Sequence, residues 1–212
     1  MKKLFKKSNG LYLITDRTIS GLSHSEIARQ AVTAGVRTIQ LREKNMSGRD
    51  LYQEAVFLRS LTLRHRATLI INDYVDIALA VNADGIHLGQ DDMPVKEARK
   101  ILGESKIIGI STHSLKQALR ARKAGADYIG FGPIFHTATK NAGVPKGINS
   151  LTEIKRHIKI PVVAVGGINI ENAPDVLKAG ADTIAVASGI LSGNIREKCK
   201  KNSSSTIVIP KG

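Results

Sequence analysis

Three observations predict that this chain closes into a single-domain α/β structure, a (β/α)8 TIM barrel. Eight short runs rich in Val and Ile recur along it. Most of the stretches between them repeat apolar residues at helical spacing. An Ala-Gly type helix ending returns before every second run. The length of 212 residues suits such a barrel, whose range starts at ~200 residues.

The strand runs are Leu11–Thr15, Thr38–Leu41, Thr68–Ile71, Gly85–Leu88, Ile107–Ile110, Tyr128–Phe131, Val162–Val165 and Thr183–Ala187. They are continuously apolar, as expected of parallel strands covered on both faces. Between them, Ser23–Ala34 opens on a Ser-x-x-Glu capping box, with Ser23 and Glu26 ahead of Ile27, Ala31 and Val32. Asp50–His65 places Leu51, Ala55, Leu58 and Leu61 on one face, and Ser114–Ala124 and Ile170–Ala179 read as helices in the same way. Ala34-Gly-Val, Ala83-Asp-Gly, Ala124-Gly-Ala-Asp and Ala179-Gly-Ala-Asp each end a helix and open a strand, with glycine supplying the left-handed cap. After Leu191 the chain turns polar, so the final helix should be short. The chain then divides into a basic extension over 1–10, a barrel over 11–200 and a mobile tail over 201–212.

Composition excludes several classes of protein. The hydrophobic content of 42% and charged content of 24% are ordinary for a globular domain. Cys199 is the single cysteine, which rules out a disulfide framework and fits a reducing, cytoplasmic setting. No apolar run reaches the ~18 residues of a membrane span, and the basic start Met1–Lys7 has no apolar core of a secretory signal. The net charge of +14 gathers partly at the ends, where it reads as solvated surface. No zinc-finger spacing, nucleic-acid motif or aromatic platform accompanies it, so nucleic acid is not an expected partner.

In a barrel, chemistry sits at the C-terminal ends of the strands. Gly166-Gly167 and Ser188-Gly189 follow the seventh and eighth runs, where barrels build a phosphate pocket from backbone amides. Asp73 ends the third run and Asp92 follows the fourth. Neighbouring strands lie ~4.8 Å apart, so both carboxylates can reach one hard cation, although spacing alone permits Asp91 in place of Asp92. With no His/Cys cluster present, Mg²⁺ bridging a diphosphate suits them better than zinc. The other reading of a strand-end aspartate is a cap for the next helix. Arg42, Lys44 and Lys140 fall on the same face as cations for a diphosphate. His87 lies within a strand and reads as a core histidine, and no nucleophile–base pair is evident.

These motifs, in this order, resemble the thiamine-phosphate synthase (thiamine-phosphate pyrophosphorylase) family. The resemblance rests on Tyr12-Leu-Ile-Thr-Asp16, Gln40-Leu-Arg-Glu-Lys44, Ile71-Asn-Asp73, His87-Leu-Gly-Gln-Asp-Asp-Met-Pro94, Gly130-Phe-Gly-Pro-Ile-Phe135, Thr137-Ala-Thr-Lys140 and Ala164-Val-Gly-Gly-Ile168. It implies that a hydroxymethylpyrimidine diphosphate loses pyrophosphate to a thiazole phosphate. It would place Gln40, Leu41, Arg42, Glu43, Lys44, Asn72, Ser111 and Lys140 on the pyrimidine diphosphate, with Arg42, Lys140 and Ser111 acting on the leaving group. It makes Asp73 and Asp92 the Mg²⁺ ligands, and puts Thr137, Ala138, Thr139, Gly167, Ala187 and Ser188 on the thiazole phosphate. The family usually has Pro where His136 stands.

A sister on the same barrel, the thiazole tautomerase, would need neither the aspartate pair nor the cations. A sugar-phosphate isomerase would need an acid–base pair at opposing strand ends. Barrels of this size often form homo-oligomers, but no interface stripe stands out.

Overall fold

The computed structural model describes residues 10–137 and 143–204. Eight strands form one closed, wholly parallel barrel in sequence order, the first pairing with the last. They are β1 (Leu11–Thr15), β2 (Thr38–Leu41), β3 (Thr68–Asn72), β4 (Gly85–Leu88), β5 (Ile107–Thr112), β6 (Tyr128–Phe131), β7 (Val162–Val165) and β8 (Thr183–Val186). All eight expected runs are strands; β3 and β5 extend by one and two residues, and β8 stops one residue earlier.

The described helices are α1 (Arg17–Ser20), α2 (His24–Thr33), α3 (Gly48–Arg64), α4 (Val75–Ala80), α5 (Val95–Leu102), α6 (Leu115–Lys123), α7 (Gly147–His157), α8 (Ala173–Lys178), α9 (Ser188–Leu191) and α10 (Ile195–Ser204). Among them none is long and apolar enough to cross a membrane.

Local chemistry explains the boundaries. The Ser23 hydroxyl accepts from the Glu26 amide at 3.1 Å and starts α2. The other half of the expected capping box does not form, because the Glu26 carboxylate turns to Arg29 and Gln30 instead. Gly35, Gly125 and Gly180 take the left-handed conformation after their helices, at φ 101°, 94° and 102°. In the fourth copy of that motif the left-handed residue is Asn82, at φ 52°. Gly85 lies inside β4, where a side chain would meet the Ile107 carbonyl at 2.3 Å.

Two bodies of apolar packing result. The larger lies between barrel and helices and takes one side chain of each strand pair, such as Leu11 and Leu13 of β1. The smaller fills the barrel axis with Tyr12, Ile70, Tyr128, Val163 and Ala185. Gly109 makes room for the Tyr128 ring, which a Cβ at that position would approach to 2.0 Å.

The polar-looking end departs from expectation. Instead of a short stub, α10 runs from Ile195 to Ser204. Ile195 and Cys199, one helical turn apart, are fully buried and anchor it to the core. Burial pushes the Cys199 thiol up to about 12, so it stays protonated and unreactive. Residues 205–212 and the extension before Gly10 lie outside the described residues.

The lower rim of the barrel shows why Asp closes the Ala-Gly-Ala-Asp motif. Asp84, Asp127 and Asp182 stand at equivalent positions, one residue before or at the start of β4, β6 and β8. Each carboxylate accepts an amide from the start of the preceding strand, the first or second residue, from Leu69, Ile108 and Val162, all at 2.8 Å. Each also pairs with a cation of the helix before that strand: Arg59 at 2.9 Å, Arg99 at 2.6 Å and Lys155 at 2.6 Å. One side chain thus ties a helix and two strands three times around the rim.

Candidate active site

The upper rim carries the functional candidates. Gln40 projects from β2 and is buried, and Asn72 ends β3 with only 7% exposure. Ser111 comes from β5, and Ala187 and Ser188 follow β8. The loop after β2 is fixed by its own glutamate: Glu43 accepts the amides of Lys44 and Asn45, both at 2.7 Å. The same carboxylate meets buried His24 at 3.1 Å. Burial alone would raise the Glu43 pKa, but the amide and His24 hydrogen bonds outweigh it and hold the group below its ordinary value. Its charge is therefore spent on shaping the loop. The Leu41 side chain lies in the core between barrel and helices, which leaves only its backbone on the rim.

Both described loop cations are held by carboxylates. The Arg42 guanidinium donates to Asp16 at 3.1 Å, while the second Asp16 oxygen caps α1 by accepting from Thr18 and Ile19. The Lys44 ammonium donates to Asp73. Asp73 in turn lies beside Asp92, and Asp92 accepts the Gly89 amide at 2.6 Å. Asp91 is exposed, so of the two candidates it is Asp92 that adjoins Asp73. Burial raises the Asp73 pKa; Lys44 pulls the other way, and the adjacent Asp92 adds to the rise.

Neither aspartate caps a helix. The first residues of α4 and α5 follow Tyr74 and Pro94, which make no side-chain cap. Asp73 also takes the left-handed conformation, at φ 65°, which aspartate tolerates better than most residues.

Two contiguous cavities open between the strand ends. An inner one of about 170 Å³ is lined by Tyr12, Gln40, Asn72, His87, Ser111 and Tyr128. An outer one of about 180 Å³ is lined by Arg42, Thr137, Gly166, Gly167, Ala187 and Ser188. Arg42, Ile14, Val165 and Ala185 border both. On the outer side the backbone is kept bare. A Cβ on Gly167, itself at φ 65°, would sit 2.4 Å from the His136 carbonyl, and one on Gly189 2.5 Å from that of Ile168. Asn172 steadies the turn by donating to the Gly167 carbonyl at 2.9 Å.

The rim therefore gathers Gln40, Arg42, Asn72, Ser111, Thr137, Gly167, Ala187 and Ser188 around two adjoining cavities, while Lys44, Asp73 and Asp92 meet one another after the ends of β2, β3 and β4. Ala138, Thr139 and Lys140 lie outside the described residues. Sequence reasoning missed Asp16, Tyr12 and Tyr128. Asp16 ends the first quoted motif but had no visible partner. The tyrosines were hidden in continuous apolar runs, which do not reveal which side chains turn to the axis.

A closed parallel barrel with its charge and bare backbone gathered at one end is the architecture of a barrel enzyme. Residues 11–190 match the family described as Thiamine monophosphate synthase. A thiamine-phosphate synthase of Clostridium novyi is 51% identical over 186 residues, 87% of this chain and 91% of its own length. One from Chloroflexus aurantiacus is 50% identical over 186 residues, covering 87% and 86%. The structure of thiamine phosphate pyrophosphorylase from Pyrococcus furiosus superimposes with a TM-score of 0.87 at 42% identity, covering 93% of this chain and 95% of that one. The chain belongs to the thiamine monophosphate synthase family, a family of transferases.

Proposed function

We propose that this chain joins 4-amino-2-methyl-5-(diphosphooxymethyl)pyrimidine to 4-methyl-5-(2-phosphooxyethyl)thiazole and releases pyrophosphate. The observation that carries this reading is the pairing of two anion subsites on one rim. Lys44 and the Asp73–Asp92 pair follow β2, β3 and β4, bare backbone at Gly167 and Gly189 beside Ser188 follows β7 and β8, and Arg42 borders both cavities between them. A thiazole tautomerase has no use for the first set.

The donor chemistry supports Mg²⁺. Two adjacent carboxylates, one already carrying a cation, suit a hard ion, and among the described residues no group of three His, Cys, Asp or Glu forms a closed cage. That leaves coordination positions for diphosphate oxygens and water. Bound there, the ion supplies charge neutralisation to the departing diphosphate.

The chain's own residues then have distinct tasks. The bond from the pyrimidine methylene carbon to the diphosphate oxygen breaks first, and its electron pair leaves on that oxygen. Arg42, Lys44 and Lys140 stabilise the charge that develops there. The thiazole nitrogen closes the new carbon–nitrogen bond with its lone pair. That nitrogen has no proton to lose, so no general base is required. Gln40, Asn72 and Ser111 orient the pyrimidine half; Thr137 to Thr139, Gly167, Ala187 and Ser188 hold the thiazole phosphate.

The test is incubation with both substrates and Mg²⁺ and detection of pyrophosphate. Arg42→Ala and Lys140→Ala should each slow a single turnover on the order of 10²–10³-fold, well beyond any change in thiazole phosphate affinity, because a fixed cation is worth more once charge has developed. Asp73→Asn and Asp92→Asn should each abolish Mg²⁺-dependent turnover in a folded protein. Unchanged single-turnover rates in all four variants would overturn these roles.

A further inference from the structure

The axis of the barrel carries a row of hydrogen bonds whose middle members, Tyr12, Tyr128 and His87, have no task in the reaction described above. The Gln40 side-chain nitrogen donates to the Tyr12 hydroxyl at 2.7 Å. The Tyr12 and Tyr128 hydroxyls are 3.0 Å apart, and Tyr128 lies 2.9 Å from His87 Nδ1. His87 Nε2 then meets the Ser111 hydroxyl at 2.9 Å. Five strands, β2, β1, β6, β4 and β5, contribute one member each. Two glycines keep the rings in place: a Cβ at Gly109 would strike Tyr128 at 2.0 Å, and one at Gly130 would crowd the His87 ring at 3.1 Å.

We propose that His87 is a positioning residue for this reaction, held as the Nε2–H tautomer so that it donates to Ser111 and frees the serine's own proton for a ligand oxygen. The role rests on the function proposed above, since it needs a diphosphate beside Ser111.

A phenol or a neutral imidazole has one proton to give, so the direction chosen at one joint passes to the next. An amide nitrogen only donates. Gln40 presenting its nitrogen to Tyr12 is compatible with a Tyr12 proton that runs to Tyr128 and a Tyr128 proton that runs to Nδ1, and this is the arrangement assigned here. Nδ1 thus accepts, and the ring proton sits on Nε2, facing Ser111. The opposite direction would present the Gln40 oxygen to Tyr12 and make Ser111 a donor to the histidine. Its hydroxyl could then give nothing to a leaving group. Charge developing on the diphosphate favours the first arrangement, in which Ser111 donates into the cavity.

The full-length wild type, labelled with ¹⁵N in histidine, decides the tautomer without any variant. His87 should show a bare Nδ1 and a protonated Nε2; the reverse pattern overturns the proposal. A double-variant cycle decides the role. Because His87 acts through Ser111, His87→Asn and Ser111→Ala should each slow a single turnover on the order of 10²-fold, and the pair together no more than Ser111→Ala alone. His87→Gln, whose longer amide can replace the Nε2–H donor, should recover most of the rate. Additive losses, or no rescue by glutamine in a folded protein, would overturn the positioning role. Pyrophosphate release by the wild type is the separate test of the underlying function. Its absence alongside the expected tautomer would sink that function and not the row.

Discussion

Single residues at the rim do two jobs, and the histidines show the difference. His24 and His87 both sit below their ordinary pKa, chiefly through burial. For His87 the consequence for stability can be worked out. The unfolded chain takes up a proton near pH 6.5, whereas the folded ring takes it only near pH 4. Between those values the unfolded state binds more protons, so stability rises with pH. The contribution is complete above about pH 6.5 and is lost as pH falls toward the folded value, by up to about 1.4 kcal/mol per pH unit. Urea midpoints should therefore fall between pH 7 and pH 5 more steeply in the wild type than in His87→Gln. Parallel curves would remove His87 as the cause. At this scale the sequence was legible where chemistry is unusual and opaque where geometry decides. Asp73, Asp92 and Arg42 stand out as charges at strand ends. The link from Arg42 to Asp16, or from His87 to Tyr128, joins residues 26 and 41 positions apart and has no local signature.

Elements were more legible than the contacts between them. Continuous Val/Ile runs can be buried only as parallel strands here, and all eight formed. The end of the chain was misread because charge density concealed Ile195 and Cys199, whose one-turn spacing suffices to seat α10. The turn after β7 shows how an element's end leaves its backbone bare beside a cavity. Gly167 is there because its backbone is left-handed and because the His136 carbonyl occupies the place of a Cβ. Gly167→Val should therefore abolish thiazole phosphate binding while the pyrimidine diphosphate still binds, as read by titration calorimetry. Equal loss of both ligands would mean that the substitution damages the barrel rather than the pocket.

For the whole molecule, the two rims divide stability from chemistry. The Asp84, Asp127 and Asp182 ties lie on the lower rim, away from the cavities. Asp127→Ala would leave the Ile108 amide and the Arg99 guanidinium without this carboxylate. Hydrogen bonds to charged groups contribute about 1.5–3 kcal/mol, and a loss of that order is expected in denaturant unfolding. Turnover by the remaining folded protein should be unchanged. A large fall in kcat at temperatures where the variant is fully folded would refute the separation.

The three ties also sort the upper loops into two kinds. Each tie binds a helix to the two strands that follow it: α3 to β3 and β4, α5 to β5 and β6, α7 to β7 and β8. The ends of β3, β5 and β7 and the turns after them fall inside such a bundle, and they bear Asn72 and Asp73, Ser111, and Gly167. The loops after β2 and β4 fall at the seams between bundles, and they bear Arg42, Lys44 and Asp92. A seam can lengthen, shorten or change its charges without untying anything below. On the proposed function, the groups assigned to the charged end of the substrate, Asp73 excepted, therefore sit where the sequence can change without disturbing the framework, while Asn72 and Ser111 of the inner cavity are tied to it.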